Sequence, residues 1–290
     1  MTSRRLSVFS FLWVIALGMT FSAFAQSETA PLRPLPLGDA LLSLPSNHIA
    51  PWGQWEWKFT HRFNQSLDQG SFSDQLHSLF GLDTNADVVL GGSYALRPNL
   101  QLSAVRSNTN DTIEAAAKYV VWRQTAGRPF SATLRGGADL RTEKNLEDRT
   151  SFFAQAIVSR QFGKKAELFL LPTFATNAGR AVSGDSSVAL FDTAFNVPVA
   201  FVWMVRPGLA AVAEVIPPNA DLPDAIEADF GWSLGIKRNI GGHWFEILVT
   251  NNQSTLVDQY VTSTYQGSGL DAGDIKLGFN IERRFGKRRG

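Results

Sequence analysis

Twelve stretches of this chain resemble β-strands, and most of them alternate apolar and polar residues with a period of two, the pattern of a strand whose two faces meet different surroundings. In 53–63, for example, Trp55 and Trp57 alternate with Glu56 and Lys58. Some alternate poorly, and the stretch at 165–176 is nearly all apolar. Most stretches are about as long as a tilted strand that crosses a bilayer, which needs roughly 9–11 residues. The predicted strands cover about 53–63, 87–96, 99–107, 111–124, 129–141, 149–162, 165–176, 191–205, 208–217, 229–240, 243–252 and 274–286. Pro172, inside one of them, predicts a bulge or a gap in the ladder.

The connections between these strands alternate in length. Every second connection is a short turn, and three of the turns carry Arg-Pro, in "LRPN" at 96–99, "GRPF" at 127–130 and "VRPG" at 205–208. The other connections are mostly long and polar, with "NTND" at 108–111 as the short exception. Short periplasmic turns, long extracellular loops and an even strand number predict an all-β fold, a single up-and-down antiparallel transmembrane β-barrel of about 12 strands. The alternative is a soluble β-sandwich or propeller, which gives no reason for loop lengths to alternate.

Aromatic residues cluster near both ends of the predicted strands, as in barrels whose aromatic girdles mark the two membrane interfaces. Near the short-turn ends these are Trp52, Trp55, Trp57, Trp122, Trp203 and Trp244. Near the long-loop ends they are Phe63, Phe152, Phe191, Phe230 and Trp232.

The amino terminus predicts export. "MTSRR" is a positive n-region, an apolar stretch follows, and "AFA" at 23–25 fits a cleavage site, so residues 1–25 read as a signal peptide. An uncleaved membrane anchor is the alternative. Residues 26–52 form a proline-containing leader that either stays extended in the periplasm or fills the lumen as a plug, with one helical turn expected at "GDALLSL". Residues 53–286 form the barrel and 287–290 a basic tail, and the predicted location is the outer membrane.

A short series of motifs carries a family resemblance. His61, Arg62 and Phe63 end the first strand, Gly81, Leu82 and Asp83 precede the second, Arg106 and Ser107 end the third, and Lys118 and Tyr119 lie in the fourth. In this order and spacing they resemble a family of exported bacterial outer-membrane β-barrels of unknown function. The resemblance covers the first half of the mature chain. It implies an outer-membrane barrel and no established activity or ligand.

The polar faces of the strands would line the lumen. The charged residues expected there are Glu56, Lys58, Arg62, Glu114, Lys118, Arg135, Asp139, Arg141, Glu214, Asp229, Lys237, Glu246, Asp274, Lys276, Glu282 and Arg284. Eight are acidic and eight are basic, whereas an anion-selective pore should have an excess of cations. We expect these side chains to pair with one another. The function predicted is a narrow channel for small polar solutes. The alternative is a non-conducting structural or docking barrel that binds a partner through its outer loops or leader.

Composition limits the other functions. The chain has no cysteine and a formal net charge of +1, so thiolate chemistry is excluded and a nucleic-acid partner is not expected. The four histidines lack zinc-site spacing, and "DTNAD" at 83–87 lacks the glycine and glutamate of a calcium loop. No cofactor, metal or catalytic residue is predicted, and an outer-membrane hydrolase is the remotest alternative. The expected partners are outer-membrane lipid, lipopolysaccharide, the barrel assembly machinery and a small polar solute.

Overall fold

The structure is a computed structural model that describes residues 35–67, 70–77, 85–143, 149–183, 186–219, 228–252, 254–265 and 274–287. Alternating side chains fold most of these residues into β-strands. The first eight strands are β1 Trp55–Ser66, β2 Ala86–Arg97, β3 Leu100–Ser107, β4 Thr112–Trp122, β5 Ser131–Arg141, β6 Thr150–Phe162, β7 Ala166–Leu170 and β8 Thr173–Ser183. The others are β9 Ser186–Asn196, β10 Val199–Arg206, β11 Leu209–Ile216, β12 Ala228–Asp229, β13 Gly231–Ile240, β14 His243–Thr250, β15 Thr264–Tyr265 and β16 Lys276–Phe285. Two short helices, α1 Phe72–His77 and α2 Val257–Tyr260, lie in connections.

The main sheet closes on itself, with each strand antiparallel to its neighbours. The sheet closes where its first strand, β1, pairs with its last strand, β16, and Trp55 is opposite Phe285. On the other side of β1, Trp55 is opposite Tyr94 of β2. Strands β7 and β8 are one strand interrupted at Leu171 and Pro172, and β9 and β10 are one strand interrupted at Val197 and Pro198. The fourteen ladder segments are therefore twelve barrel strands, as predicted. β12 and β15 pair separately.

Prolines interrupt two adjacent strands at the same height. Pro172 has no N–H to give to the ladder, and the gap predicted there is present. Its carbonyl still accepts from the backbone N–H of Ala156 at 2.9 Å, and the N–H of Leu171 donates to the carbonyl of Pro198 at 2.9 Å. The barrel wall stays hydrogen-bonded across the interruption.

Two local predictions were wrong. The stretch from Asn177 to about Leu190 was expected to be a loop, but β8 and β9 continue through it as a long hairpin, with Ala178 opposite Phe191. The stretch 38–44 was expected to hold a helical turn but consists of bends closed by a bridge between Ala40 and Pro45. Side chains of the barrel wall bind the backbone N–H and C=O groups of this stretch, so its backbone is satisfied without a helix.

The outer face of the barrel is apolar, because every second side chain of a strand points away from the lumen and most of these side chains are apolar. Ile247, Leu234 and Phe195 are among the exposed residues there. A closed barrel leaves no unpaired edge, so it can place this surface in lipid. Two predicted interfacial aromatics instead point inward: Trp244 is 2% exposed, and Phe191 belongs to the buried core. In β14 it is Phe245, not Trp244, that shares the outward face.

The predicted signal peptide, the cleavage site, Gly81, Leu82, Asp83 and the last three residues of the basic tail lie outside the described residues. Among the described residues, no helix is long and apolar enough to cross a membrane.

Candidate functional site: a lumen closed by two segments

Two segments that are not strands of the main sheet fill the lumen. We call residues 35–52 the leader plug and residues 254–263 the outer plug. The leader plug enters at the end of the barrel where the short turns lie, and the outer plug folds inward from the long connection between β14 and β16. Both are buried, with Leu41, Leu42 and Val257 showing no exposed surface. A barrel of twelve strands is wider than one that its own side chains can fill, which leaves room for such segments.

The tip of the leader plug is bound through its main chain. The Glu214 carboxylate of β11 accepts hydrogen bonds from the backbone N–H groups of Leu42 at 2.8 Å, Ser43 at 3.0 Å and Leu44 at 3.1 Å. Three converging N–H groups stabilise a buried anion because each replaces a hydrogen bond from water. Glu214 thus fixes the position of the tip at mid-barrel.

Cations of the wall bind the carbonyl groups of the same segment. Lys237 donates to the carbonyl of Ala40 at 2.7 Å, and Lys118 donates to the carbonyl of His48 at 2.8 Å. Lys118 also forms an ion pair with Asp39. Wall side chains of both charge signs therefore hold the leader plug. They bind chiefly its backbone N–H and C=O groups.

Arg62 of β1 reaches the tip from the opposite wall. Its guanidinium donates to the carbonyl of Leu42 at 3.2 Å and to Oδ1 of Asn280 at 2.7 Å. Asn280 in turn donates to the same Leu42 carbonyl at 2.7 Å and to Glu246. This network connects β1, β14 and β16 to the leader plug.

The entrance of the leader plug is fixed close to the last strand. The indole N–H of Trp244 donates to the carbonyl of Pro36 at 2.8 Å, and the guanidinium of Arg284 lies 4.7 Å from the centre of the Trp244 ring. Arg284 also pairs with Glu56 at 2.7 Å, and Glu56 accepts from the backbone N–H of Asp39 at 2.5 Å.

The leucines of the leader plug face an apolar half of the lumen. Leu37, Leu41 and Leu44 belong to one buried cluster with side chains of β6 to β11, among them Ile157 and Phe169. The outer plug joins the same cluster through Val257, Tyr260 and Val261. The two plugs therefore share one hydrophobic core inside the barrel, and this half of the lumen is sealed by packing.

The outer plug is fixed by a buried ion pair. Asp258 pairs with Arg141 of β5 at 2.5 Å, and neither side chain is exposed. The Tyr260 hydroxyl accepts from Gln155 at 2.8 Å, and burial raises the pKa of this phenol above its usual range. Asn196 donates to the carbonyl of Val261 at 2.8 Å. These contacts tie the outer plug to β5, β6 and β9.

A small polar cavity remains between both plugs and the wall formed by β1 to β5. Its volume is about 40 Å³, room for a few water molecules. Three carboxylates and three cations line it: Asp39, Glu56, Glu114, Lys58, Lys118 and Arg135. Ser43 of the leader plug and Thr255 of the outer plug complete the lining. The free space in the lumen thus lies on its charged side.

The fourteen charged barrel residues expected in the lumen all point inward or line its rim, and most are buried. These are Glu56, Lys58, Arg62, Glu114, Lys118, Arg135, Asp139, Arg141, Glu214, Lys237, Glu246, Lys276, Glu282 and Arg284. Two further acids differ. Asp274 is partly exposed, 3.6 Å from Lys276. Asp229 is exposed in β12, outside the barrel ladder, so its expected lumen position was wrong.

The charges do not simply pair across the lumen. Lys237 contacts Glu246 and, at 3.1 Å, Glu282, and Arg135 contacts Glu114, as wall-to-wall pairs. Lys118 and Arg141 instead bind Asp39 and Asp258, which belong to the plugs. Sequence reasoning missed these two acids because neither lies in an alternating stretch.

The motif residues divide between the two faces. Arg62 and Lys118 point inward, whereas His61 stacks on Phe279 with ring centres 5.0 Å apart, on the face that also holds Phe63. Tyr119 is exposed on the outside, and Arg106 pairs with Asp111 near the long-loop end. The described residues contain no group of three or more side chains that could hold a metal ion.

Comparison with known proteins gives a family match over most of the chain. A family model described as a membrane-bound β-barrel domain (DUF5777) matches residues 38–285, a range that begins inside the leader plug. No curated protein matches.

Solved structures of outer-membrane barrels are similar in architecture. The NanC porin is 8% identical, with a TM-score of 0.48 over 80% of this chain and 100% of the porin. An outer-membrane channel from Pseudomonas putida F1 is 9% identical, with a TM-score of 0.49 over 82% of this chain and 97% of the channel. Outer-membrane phospholipase A from Escherichia coli is 9% identical, with a TM-score of 0.39 over 81% and 94%. Similarity at this level carries no statement about activity.

Proposed function

This chain belongs to the family of membrane-bound β-barrel domains (DUF5777), and we propose that it works as a gated channel for small polar solutes. The barrel lies in the outer membrane, since a closed antiparallel sheet with an apolar outer face is the form in which β-proteins cross that membrane. In the conformation described here the channel is closed by the leader plug and the outer plug.

One observation carries the proposal: the lumen is filled by two separable segments and not by the side chains of the barrel itself. The wall behind them is charged from Glu56 near one end to Arg141 near the other. Such a wall is costly in an interior that stays dry, because each charge must be matched. It suits an interior that holds water whenever a plug moves.

The residues around the remaining cavity indicate the class of solute. Three acids and three bases surround it, so an opened path would have no strong excess of either sign. We therefore expect the open channel to select weakly between small cations and anions, and to select solutes mainly by their size.

The His-Arg-Phe motif at 61–63 would couple the wall to the gate. Arg62 is fully buried and binds the tip of the leader plug, while His61 and Phe63 pack with Phe279 on the outer face. We take this motif as a family feature that fixes Arg62 against the plug.

Conductance in a planar bilayer tests the proposal. The purified chain should show low or intermittent conductance, and a variant that lacks residues 35–50 should show a steady open level. Heat-modifiable gel mobility would establish that the variant is a folded barrel. A folded variant that passes no current would contradict the proposal.

The filling of most of the lumen also favours a second function, a non-conducting barrel that docks a partner. In that case the full chain and the variant would both be closed, and the outer plug alone would be enough to seal the lumen.

A further inference from the structure

The rim of the barrel at the short-turn end carries a single sign of charge on its outside. Nine cationic side chains point outward or into solvent there: Arg97, Arg128, Arg160, Lys164, Lys165, Arg206, Arg238, Arg283 and Lys287. The described acids at this end, Glu56, Glu167, Glu246 and Glu282, are all buried in the lumen. We call this outward surface the cationic rim.

Aromatic rings lie directly above the cationic rim on the outer face. Trp55, Trp57, Trp203, Phe162 and Phe285 are all exposed there. Rings of this kind lie at the headgroup level of a bilayer, so the cationic rim is at the height of the phosphate groups of the periplasmic leaflet.

The connection between β4 and β5 forms a groove in this belt. The groove measures about 480 Å³ and is lined by Val121, Trp122, Gly127, Arg128, Pro129 and Phe130. Trp122 and Phe130 meet edge to face with ring centres 5.7 Å apart and form its apolar wall. Arg128 also lines the groove and is exposed, and its guanidinium has no hydrogen-bond or ion-pair partner in the described part of the chain.

The turn that carries Arg128 is braced. The backbone N–H of Thr125 donates to the carbonyl of Arg128 at 3.0 Å, and the N–H of Arg128 bonds the Thr125 hydroxyl at 3.1 Å. Gln124 links the turn to the next one, since it donates to the carbonyl of Gln161 at 3.0 Å and accepts from its N–H at 2.7 Å. The groove is therefore held open by fixed backbone.

We propose that this groove is a binding site for an anionic diacyl phospholipid of the periplasmic leaflet. The phosphate would contact Arg128, and an acyl chain would lie along Val121, Trp122 and Phe130. A groove lined by apolar side chains and by one exposed cation matches both parts of such a lipid. The nine cations around it favour a headgroup with net negative charge over a zwitterionic one. This site does not depend on whether the barrel conducts.

Native mass spectrometry of the detergent-purified chain tests the site. Phosphatidylglycerol and phosphatidylethanolamine with identical chains would be added in turn, and bound lipids counted. The unmodified chain should retain more phosphatidylglycerol than phosphatidylethanolamine. Arg128→Gln should weaken that binding about fivefold, the change expected for one cation near a lipid surface, and should also weaken phosphatidylethanolamine binding, because that lipid carries the same phosphate. Arg106→Gln, an exposed cation at the opposite end, is the matched control and should have no effect.

A second variant tests the groove without changing charge. No atom lies within 4 Å of the position that a Cβ of Gly127 would occupy, so Gly127→Leu fills the groove without a clash. It should also weaken phosphatidylglycerol binding. Equal loss from Arg97→Gln, a rim cation outside the groove, would show diffuse attraction and overturn the site. Competition by glycerol 3-phosphate, which has no acyl chains, would point to a soluble phosphate and overturn it too.

Discussion

Glu214 Oε1 lies 2.8 Å from the backbone nitrogen of Leu42. The same carboxylate binds the N–H groups of Ser43 and Leu44, so one side chain of the wall binds three consecutive N–H groups at the tip of the leader plug. Binding of this kind depends on the shape of the tip and not on its side chains. The carboxylate is therefore a natural point at which to weaken the gate without changing the plug itself.

Glu214→Gln should loosen the leader plug. The amide keeps one acceptor oxygen but turns an NH₂ group toward backbone donors, and a buried donor without a partner costs about 1–3 kcal/mol. Amide hydrogen exchange at residues 42–44 should become about 5- to 150-fold faster, while exchange in β1 stays slow. Glu143→Gln, an exposed glutamate, is the control. Unchanged exchange at the tip would show that Glu214 does not hold it.

The barrel itself could be predicted from the sequence because the pattern that specifies it, the alternation of side chains, lies within each strand. Each strand alternates between lipid and lumen, so residues such as Glu114 and Lys118 in β4 could be assigned to a face without knowledge of their neighbours. Short turns with Arg-Pro could likewise be placed on one side. Closure of twelve strands follows from these patterns, because an open edge is excluded from hydrocarbon.

The contents of the lumen could not be predicted in the same way. Asp39 meets Lys118 across 79 positions of sequence and Asp258 meets Arg141 across 117, and nothing periodic connects either pair. One signal was available: "LLSL" at 41–44 is an apolar run in a polar, proline-containing leader. An exported chain has to cover such a run, and here the lumen covers it.

Asp258→Asn should destabilise the outer plug. The substitution breaks the buried ion pair with Arg141, a change that typically costs 3–5 kcal/mol. The midpoint of urea unfolding should fall, and the double variant Arg141→Met with Asp258→Leu should recover most of the loss because it removes both charges. Asp192→Asn, an exposed aspartate, is the control. If the double variant unfolded at as low a urea concentration as Asp258→Asn, that result would contradict a role for the ion pair.

The lipid face can be tested by depth. Ile247 is 71% exposed at the middle of β14, so Ile247→Arg should destabilise the barrel by about 2–4 kcal/mol. Val205 is 59% exposed beside Arg206 at the rim, and Val205→Arg should cost no more than about 1 kcal/mol. Refolding titrations into lipid vesicles give both values. Equal costs at the two positions would place the membrane elsewhere on the barrel.

Topology can be tested by cysteine labelling, since the chain has no cysteine of its own. Ser73→Cys, exposed in α1, should react with an impermeant maleimide on intact cells, and Lys164→Cys in a short turn should react only after the outer membrane is opened. Ser263→Cys should react in neither case, because Ser263 is buried in the outer plug. The reverse pattern for Ser73 and Lys164 would invert the barrel.

Acid should release the leader plug through Asp39. Burial raises the pKa of this carboxyl, but Lys118, a hydrogen bond from Gln101 and the charge of Lys58 outweigh it and bring the pKa to about 2, below the ordinary 3.8. A pKa that is lower when docked contributes stability above the ordinary value, and that contribution is lost as pH falls toward 2. It amounts to about 2 kcal/mol.

A spin label on Pro36→Cys, an exposed position at the entrance of the leader plug, would report this release. Its spectrum should stay immobile from pH 7 to about 4 and become mobile between about 4 and 2. Other buried carboxylates also titrate in acid, so the informative quantity is the difference from a labelled Asp39→Asn chain. That variant lacks the Lys118 ion pair at every pH, so its label should already be more mobile at pH 7. Identical spectra for the two chains throughout the titration would show that Asp39 does not hold the plug.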